Sequence, residues 1–314
     1  MLSALLNLSY PTIEVKNMNQ KLANDFIVHC FNNVFSLNRS IQDNPETAKV
    51  FDFALKCAVE ILIGKNAEGV IDLPLIGSFK FPYHQFGNVS TVDLVNFSEL
   101  SLFRIYTVIS KEYDYALDLG ANIGLHSMAM SRAGFKSIFA IEADPLHKDT
   151  FIKTLNDNEI TNVTLENIAI SGIRGHAIFS RLLGNTTGSH IAGSKETTYG
   201  GITQFELLTK PISDFLIPDK KVFIKMDIEG HEADALLGLQ SPAWDWIEMC
   251  LEIGSSESAV KIFEYCLEEN LHIFCEKLDW KKATTVEELP INWRGGSVLI
   301  TKKANFMDRF LLND

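Results

Sequence analysis

The chain has 314 residues, 46% of them hydrophobic and 22% charged. That supports a full globular core, with length for one large α/β domain and an accessory region. Its 28 Lys and Arg stand against 40 Asp and Glu, a formal charge of −12, which argues against a nucleic-acid backbone as the main partner. The five cysteines, Cys30, Cys57, Cys250, Cys266 and Cys275, are scattered without a C-x-x-C pair. They read as reduced thiols, not as a disulfide framework or a zinc site.

Residues 1–6 are briefly apolar but lack the basic n-region and cleavage site of a secretion signal. No apolar run approaches the roughly 20 residues of a membrane span. These features predict a cytoplasmic protein with no membrane span. Residues 1 to about 68 read as helical. Leu22, Phe26, Ile27, Cys30, Phe31 and Val34 share a face at helical spacing. Asn44 has the chemistry of an N-cap, Pro45 suits the first helical position, and Gly64 a stop. Between them Val50, Phe53, Ala54, Cys57, Ala58, Ile61 and Leu62 form an apolar stripe. The period then changes: Phe79, Phe81 and Tyr83 alternate as in a strand, Gly87-Asn88 marks a turn, and residues 91–97 are a second strand candidate. A helix over about 99–110 follows.

From about residue 113, apolar strands alternate with helical stretches. Strands are expected at 115–119, 137–142, 163–170, 222–227, 249–253, 272–277 and 297–301. Helices are expected near 124–133, 146–157, 231–239 and 258–269. This is the βαβ rhythm of a mostly parallel, doubly wound sheet. The last two strands are close enough to pair antiparallel. Residues 183–201, rich in Gly, Ser and Thr, read as a loop suited to substrate contacts.

The first motif is Leu117-Asp118-Leu119-Gly120-Ala121-Asn122-Ile123-Gly124. Gly120 allows a tight turn and Gly124 a close helix–strand approach. The helix that follows offers free N–H groups and positive partial charge, so an anion belongs there. The G-x-G-x-x-G spacing of a dinucleotide site is absent, as is the Gly-Lys-Ser/Thr of a P-loop. The turn instead suits the carboxylate end of a methionine moiety. Asp118 is placed to accept from the ammonium of such a ligand, directly or through water, with His126 and Ser127 alongside. Glu142, ending the next strand before Ala143, has the chemistry to accept ribose hydroxyls. Asn167, Ile168 and Ala169 would flank an adenine ring.

The second motif is Lys225-Met226-Asp227-Ile228-Glu229-Gly230-His231-Glu232, at the carboxyl end of a central strand where open α/β sheets bind ligands. Lys225, Asp227 and Glu229 alternate and would share one face of a continuing strand. Asp227 and His231 are candidate general bases, and Lys225 a partner that tunes these acids. Glu229 and Glu252 are candidates to orient substrate hydroxyls, and His190 and Tyr199 to reach substrate from the loop. Asp227, Glu229 and His231 also have the donor chemistry of a divalent-metal site, without a fixed ligand spacing. Glu232 suits the first turn of the next helix. Trp244 and Trp246 read as packing residues. Arg294 in Trp293-Arg294-Gly295-Gly296 is a candidate anion contact or a turn residue.

These motifs, with Ile141-Glu142-Ala143-Asp144-Pro145, resemble the FkbM family of class I methyltransferases over roughly residues 95 to 300. The resemblance implies a Rossmann-like seven-stranded α/β sheet, mostly parallel with one antiparallel strand. It implies S-adenosyl-L-methionine as cofactor, S-adenosyl-L-homocysteine as product, and O-methylation of a hydroxyl on a sugar, glycan or related metabolite. Expected cofactor contacts are Asp118, Gly120, Ala121, Asn122, Gly124, His126, Ser127, Glu142, Ala143, Ile168 and Ala169. The expected division is an N-terminal α+β accessory region over 1–94, offering a dimer surface or a lid, and a methyltransferase domain over 95–314. A nicotinamide oxidoreductase and a non-catalytic cofactor-binding scaffold are the competing readings.

Overall fold

The computed structural model describes residues 20–42, 45–195, 200–239, 244–292 and 295–311. Asn44, Tyr199, Trp293, Arg294 and the first 19 residues of the expected helical region lie outside them. Three helices come first: α1 (Gln20–Asn32), α2 (Val34–Gln42) and α3 (Pro45–Ile63). Pro45 opens α3 as expected. Its buried face differs from the expected stripe. Val50 is 68% and Phe53 55% exposed, whereas Leu55, Ala58, Val59, Leu62 and Ile63 are buried. The helix is apolar on more than one face, so helical period alone does not choose between them. On α1, Leu22 is likewise exposed while Ala23, Ile27, Cys30 and Phe31 are buried.

A hairpin of β1 (Val70–Leu73) and β2 (Gly77–Lys80) follows. Residues 91–97 are not a strand. Thr91–Leu94 is a 3₁₀ turn, closed by a capping box in which Ser90 N–H donates to Asp93 Oδ2 at 2.8 Å. Asn96 then caps α4 (Phe97–Ile109), accepting from Glu99 N–H at 3.2 Å. Local side-chain capping thus overrides the strand-like alternation.

The remaining chain supplies β3 (Tyr115–Leu119), α5 (Leu125–Ala133), β4 (Ile138–Ile141), α6 (Lys148–Asp157), β5 (Val163–Glu166), β6 (Ala169–Ile170), β7 (Gly175–Leu182), β8 (His190–Ile191) and β9 (Ile202–Lys210). After these come β10 (Val222–Met226), α7 (Glu232–Leu237), β11 (Ile247–Glu252), α8 (Ser256–Glu268), β12 (His272–Cys275), β13 (Lys281–Lys282), β14 (Ser297–Thr301) and α9 (Asp308–Leu311). The main sheet has the order β13-β12-β14-β11-β10-β3-β4-β5. Strands β5, β4, β3, β10 and β11 pair in parallel, and β14 inserts antiparallel between β11 and β12. The expected seven strands with one antiparallel member are all present. The two-residue β13 adds an antiparallel edge.

Each face of this sheet carries its own core. On one face Ala116, Phe223, Cys250 and Leu299 join α4, α5 and the N-terminal helices in one continuous cluster. Burial is therefore unbroken across residue 95, and the N-terminal region forms part of the layer over the sheet. On the other face Leu117, Ile224, Met249 and Ile300 pack with Leu236 of α7 and Ile262 of α8. The result is a layered α/β/α architecture.

Two expectations fail beside the main sheet. Residues 163–170 form two strands in different sheets, and part of the supposed loop belongs to a second sheet of order β6-β9-β7-β8. Asn167 makes the break: its side chain donates to Glu142 O at 2.7 Å, turning the chain out of the main sheet. Among the described residues no helix is long and apolar enough to cross a membrane.

Candidate active site

The cleft lies at the carboxyl ends of β3, β4 and β10 and encloses about 980 Å³ of empty space, counting the open solvent at its mouth. At its centre β3 turns into α5. Gly120 takes φ +79°, and a Cβ there would stand 1.7 Å from Asp227 O. Glycine is what lets the two motif turns touch. Asn122 and Gly124 also have positive φ, and Gly124 caps α5 without any side-chain hydrogen bond. The first-turn N–H groups of α5 thus have no side-chain cap.

Glu142 is 7% exposed and lines the cleft. Its Oε2 accepts from Asn122 N–H at 2.7 Å and its Oε1 from Asp144 N–H at 2.8 Å. Gly120, Ala121, Asn122, His126, Ala143, Ile168 and Ala169, all among the expected cofactor contacts, line the cleft. Asp118 and Ser127 do not: both are fully buried beneath the turn. Ser127 Oγ donates to Asp118 Oδ2 at 2.5 Å, and the Lys225 ammonium lies 3.9 Å from Oδ1. In this position both side chains support the turn from below. Gly124 is likewise absent from the lining; its Cα side packs on the Phe151 ring.

At the other end, Lys225 stands in register between Asp118 and Cys250. Burial opposes its charge, but Asp227, Asp118, Glu99 and Glu252 overcome this and push the ammonium up to about 12. Asp227 reaches into the cleft with its side chain 33% exposed and its carboxylate 3.7 Å from Lys225 Nζ. Its backbone N–H donates to Leu119 O at 2.9 Å, fixing the turn. Glu252 borders a smaller adjoining cavity with Glu99, Lys225, Asp227 and Ser297. Burial, reinforced by Asp227 and Glu99, pushes its carboxyl well above the usual range. An excess of carboxylates over ammonium groups therefore gathers where the two strands end.

The rest of the second motif disperses. The strand ends at Met226, and Glu229, at φ +61°, lines the cleft but turns to form an ion pair with Lys195. His231 does not line the cleft. Its Nε2 lies 3.1 Å from Ser171 Oγ, and its Nδ1 lies 3.1 Å from Ser194 Oγ and 3.4 Å from Asp234. Burial lowers its pKa. Both nitrogens are engaged by Ser171, Ser194 and Asp234, away from the cleft lining. Among the described residues no cluster of three or more His, Cys, Asp or Glu side chains is gathered as a metal site would require. His190 is buried at 3% exposure, with Nδ1 on Gly188 O, and also lies outside the lining.

Three lining residues carry no motif signal. Glu99, in the first turn of α4, approaches His126 Nε2 at 2.7 Å, while Tyr106 OH meets His126 Nδ1 at 2.9 Å. Burial pushes Glu99 up, but His126 and Lys225 outweigh it and hold the carboxyl below its usual value. His147 and Thr186 close the far end of the cleft. The spacing Asn96-x-x-Glu99 signals a helix start, not a site.

Known proteins are similar to this chain. The methyltransferase FkbM domain family matches residues 118–283. "Methyltransferase 1" of Beauveria bassiana (strain ARSEF 2860) is 27% identical over 219 residues, covering 58% of this chain and 82% of its own. Among solved structures, the ribosomal protein L11 methylase from Lactobacillus delbrueckii subsp. bulgaricus is 14% identical, covers 67% of this chain and 80% of its own, and has a TM-score of 0.37. The N-terminal domain of human METTL16 in complex with SAH is 8% identical, covers 66% and 70%, and has a TM-score of 0.34. The family match runs from Asp118 beneath the glycine turn, through the Asp227 motif, to the far edge of the main sheet, over half the chain: it belongs to the FkbM family of S-adenosylmethionine-dependent methyltransferases.

Proposed function

We propose that the protein methylates a hydroxyl oxygen of a sugar, glycan or related metabolite, with Asp227 as the general base. The observation that carries this reading is a partly exposed carboxylate at the end of β10, between the cofactor cleft and a second cavity rich in acids. The cofactor fits the chemistry of the residues present. The uncapped start of α5 offers N–H groups for a carboxylate. Glu142 offers acceptor positions for ribose, and Ile168 and Ala169 offer apolar walls for an adenine ring.

When bound, the sulfonium supplies an electrophilic methyl group and leaves as a neutral thioether. Transfer needs the acceptor oxygen aligned with that methyl, and a sugar hydroxyl is a weak nucleophile at neutral pH. Asp227 takes the hydroxyl proton as the oxygen attacks. Lys225, buried and charged, holds Asp227 in place. Glu252, held toward its protonated form, donates a hydrogen bond to a neighbouring acceptor oxygen. Glu229, paired with Lys195, orients a second hydroxyl at the cleft rim. A labelled-methyl screen over saccharides and small polyols, with fragmentation of the product, tests the reading. Label on oxygen is expected; label only on nitrogen or carbon rejects it.

A further inference from the structure

We propose that His147 is a positioning residue for the cofactor site: it orients the Glu142 carboxylate and ties it to a roof built from two distant parts of the chain. The inference rests on the reading that Glu142 receives the ribose. His147 ends the short turn after Pro145 and is 2% exposed. Its Nδ1 lies 3.3 Å from Glu142 Oε1, and its Nε2 lies 3.2 Å from Thr186 Oγ1.

A carboxylate only accepts, so Nδ1 must carry the proton. Nε2 is then free to accept from the Thr186 hydroxyl, or to donate to it if the ring is charged. Oε1, already bonded to Asp144 N–H, receives two donors, and Oε2, bonded only to Asn122 N–H, keeps an open acceptor position. The carboxylate is therefore fixed in rotation before any ligand arrives, which lowers the cost of binding.

The roof over His147 is assembled from the accessory region and the second sheet. Phe86 meets the imidazole edge-on, with centroids 5.6 Å apart at 83°. Thr186 N–H donates to Phe86 O at 3.0 Å, and Asn88 N–H to Gly184 O at 2.8 Å. At Gly87 a Cβ would stand 2.5 Å from Gly184 C and O, so the two segments touch backbone to backbone. The turn beneath is anchored as well: Arg181 grips Asp144 with two nitrogens. One imidazole thus joins the end of β4, residues 86–88 and residues 184–186.

A double-mutant cycle on the full chain, with S-adenosylhomocysteine affinity read by calorimetry and folding checked by thermal melts, tests this. Losing a hydrogen bond to a charged group predicts about tenfold weaker binding in His147→Phe. His147→Asn keeps a donor near the Nδ1 position and should restore affinity to within about threefold. His147→Gln reaches the Thr186 side without that donor and should not, and this pair carries the test if the Phe variant fails to fold. In a Glu142→Ala background, His147→Phe should have no further effect, because it acts through Glu142. Wild-type affinity in His147→Phe, equal Asn and Gln variants, or losses that multiply in the double mutant would overturn the proposal. Unchanged affinity in Glu142→Ala alone would instead overturn the ribose reading.

Discussion

Glu232 offers a sharp contrast between two substitutions. Its carboxylate is 2% exposed and accepts from Ile228 N–H and Gly230 N–H, each at 3.0 Å, closing the turn that presents Asp227 and Glu229. Alanine leaves two backbone donors without that partner, at about 1–3 kcal/mol each, so about 2–6 kcal/mol of stability should be lost. Glutamine keeps an oxygen at the Oε1 position, which serves both donors, and should cost about 1 kcal/mol. The pH dependence sharpens the contrast. Burial lifts this carboxyl from 4.5 to about 7. Because the folded value is the higher one, the group's favourable contribution is complete below 4.5 and is lost as pH rises through 7. Its size is about 3 kcal/mol. Urea melts at pH 4.5 and 8 should show wild type losing about that much relative to Glu232→Gln. Parallel pH dependence in the two proteins, or an alanine variant as stable as the glutamine variant, would refute the reasoning.

Gly120→Ala should cost about 2–5 kcal/mol, combining an unfavourable φ with overpacking against Asp227 O; thermal melts and S-adenosylhomocysteine calorimetry measure both its consequences. Leu55→Ala should destabilise by about 2–5 kcal/mol, whereas Val50→Ser, on the exposed side of the same helix and about 140° around from Leu55, should stay within about 0.5 kcal/mol. Equal effects at these two positions would mean that α3 packs on its other face.

The central strands were legible because β3, β4, β10, β11 and β14 are short apolar runs ending in motif residues or turns. The two motifs and the Ile141–Pro145 stretch supply Gly120, Asp227 and Glu142, which line one cleft. Other features depend on partners far away in sequence. His231 sits in the second motif, yet Ser171 and Ser194 claim its nitrogens. Asp118 is withdrawn from the cleft by Ser127 and Lys225. Some misses left a local trace. Ser90-x-x-Asp93 and Asn96-x-x-Glu99 are capping signals that straddle the two ends of the segment read as a strand. In β7, Gly175, Ala177 and Phe179, and in β9, Phe205, Leu207 and Thr209, are less exposed than the residues between them, a strand's period of two. The roles of Glu99 and His147 left no such trace, since each is defined by what the fold brings to it.

Asp227→Asn gives the most direct measurement of the central claim, made on the acceptor that the labelled-methyl screen identifies. A general base contributes about 10²–10⁴-fold, so single-turnover methyl transfer should fall by that factor. S-adenosylhomocysteine affinity should stay within about twofold, because the asparagine keeps the turn's shape and the adenosine end is untouched. A transfer rate within tenfold of wild type, or a lost rate explained wholly by lost cofactor affinity, would contradict the account.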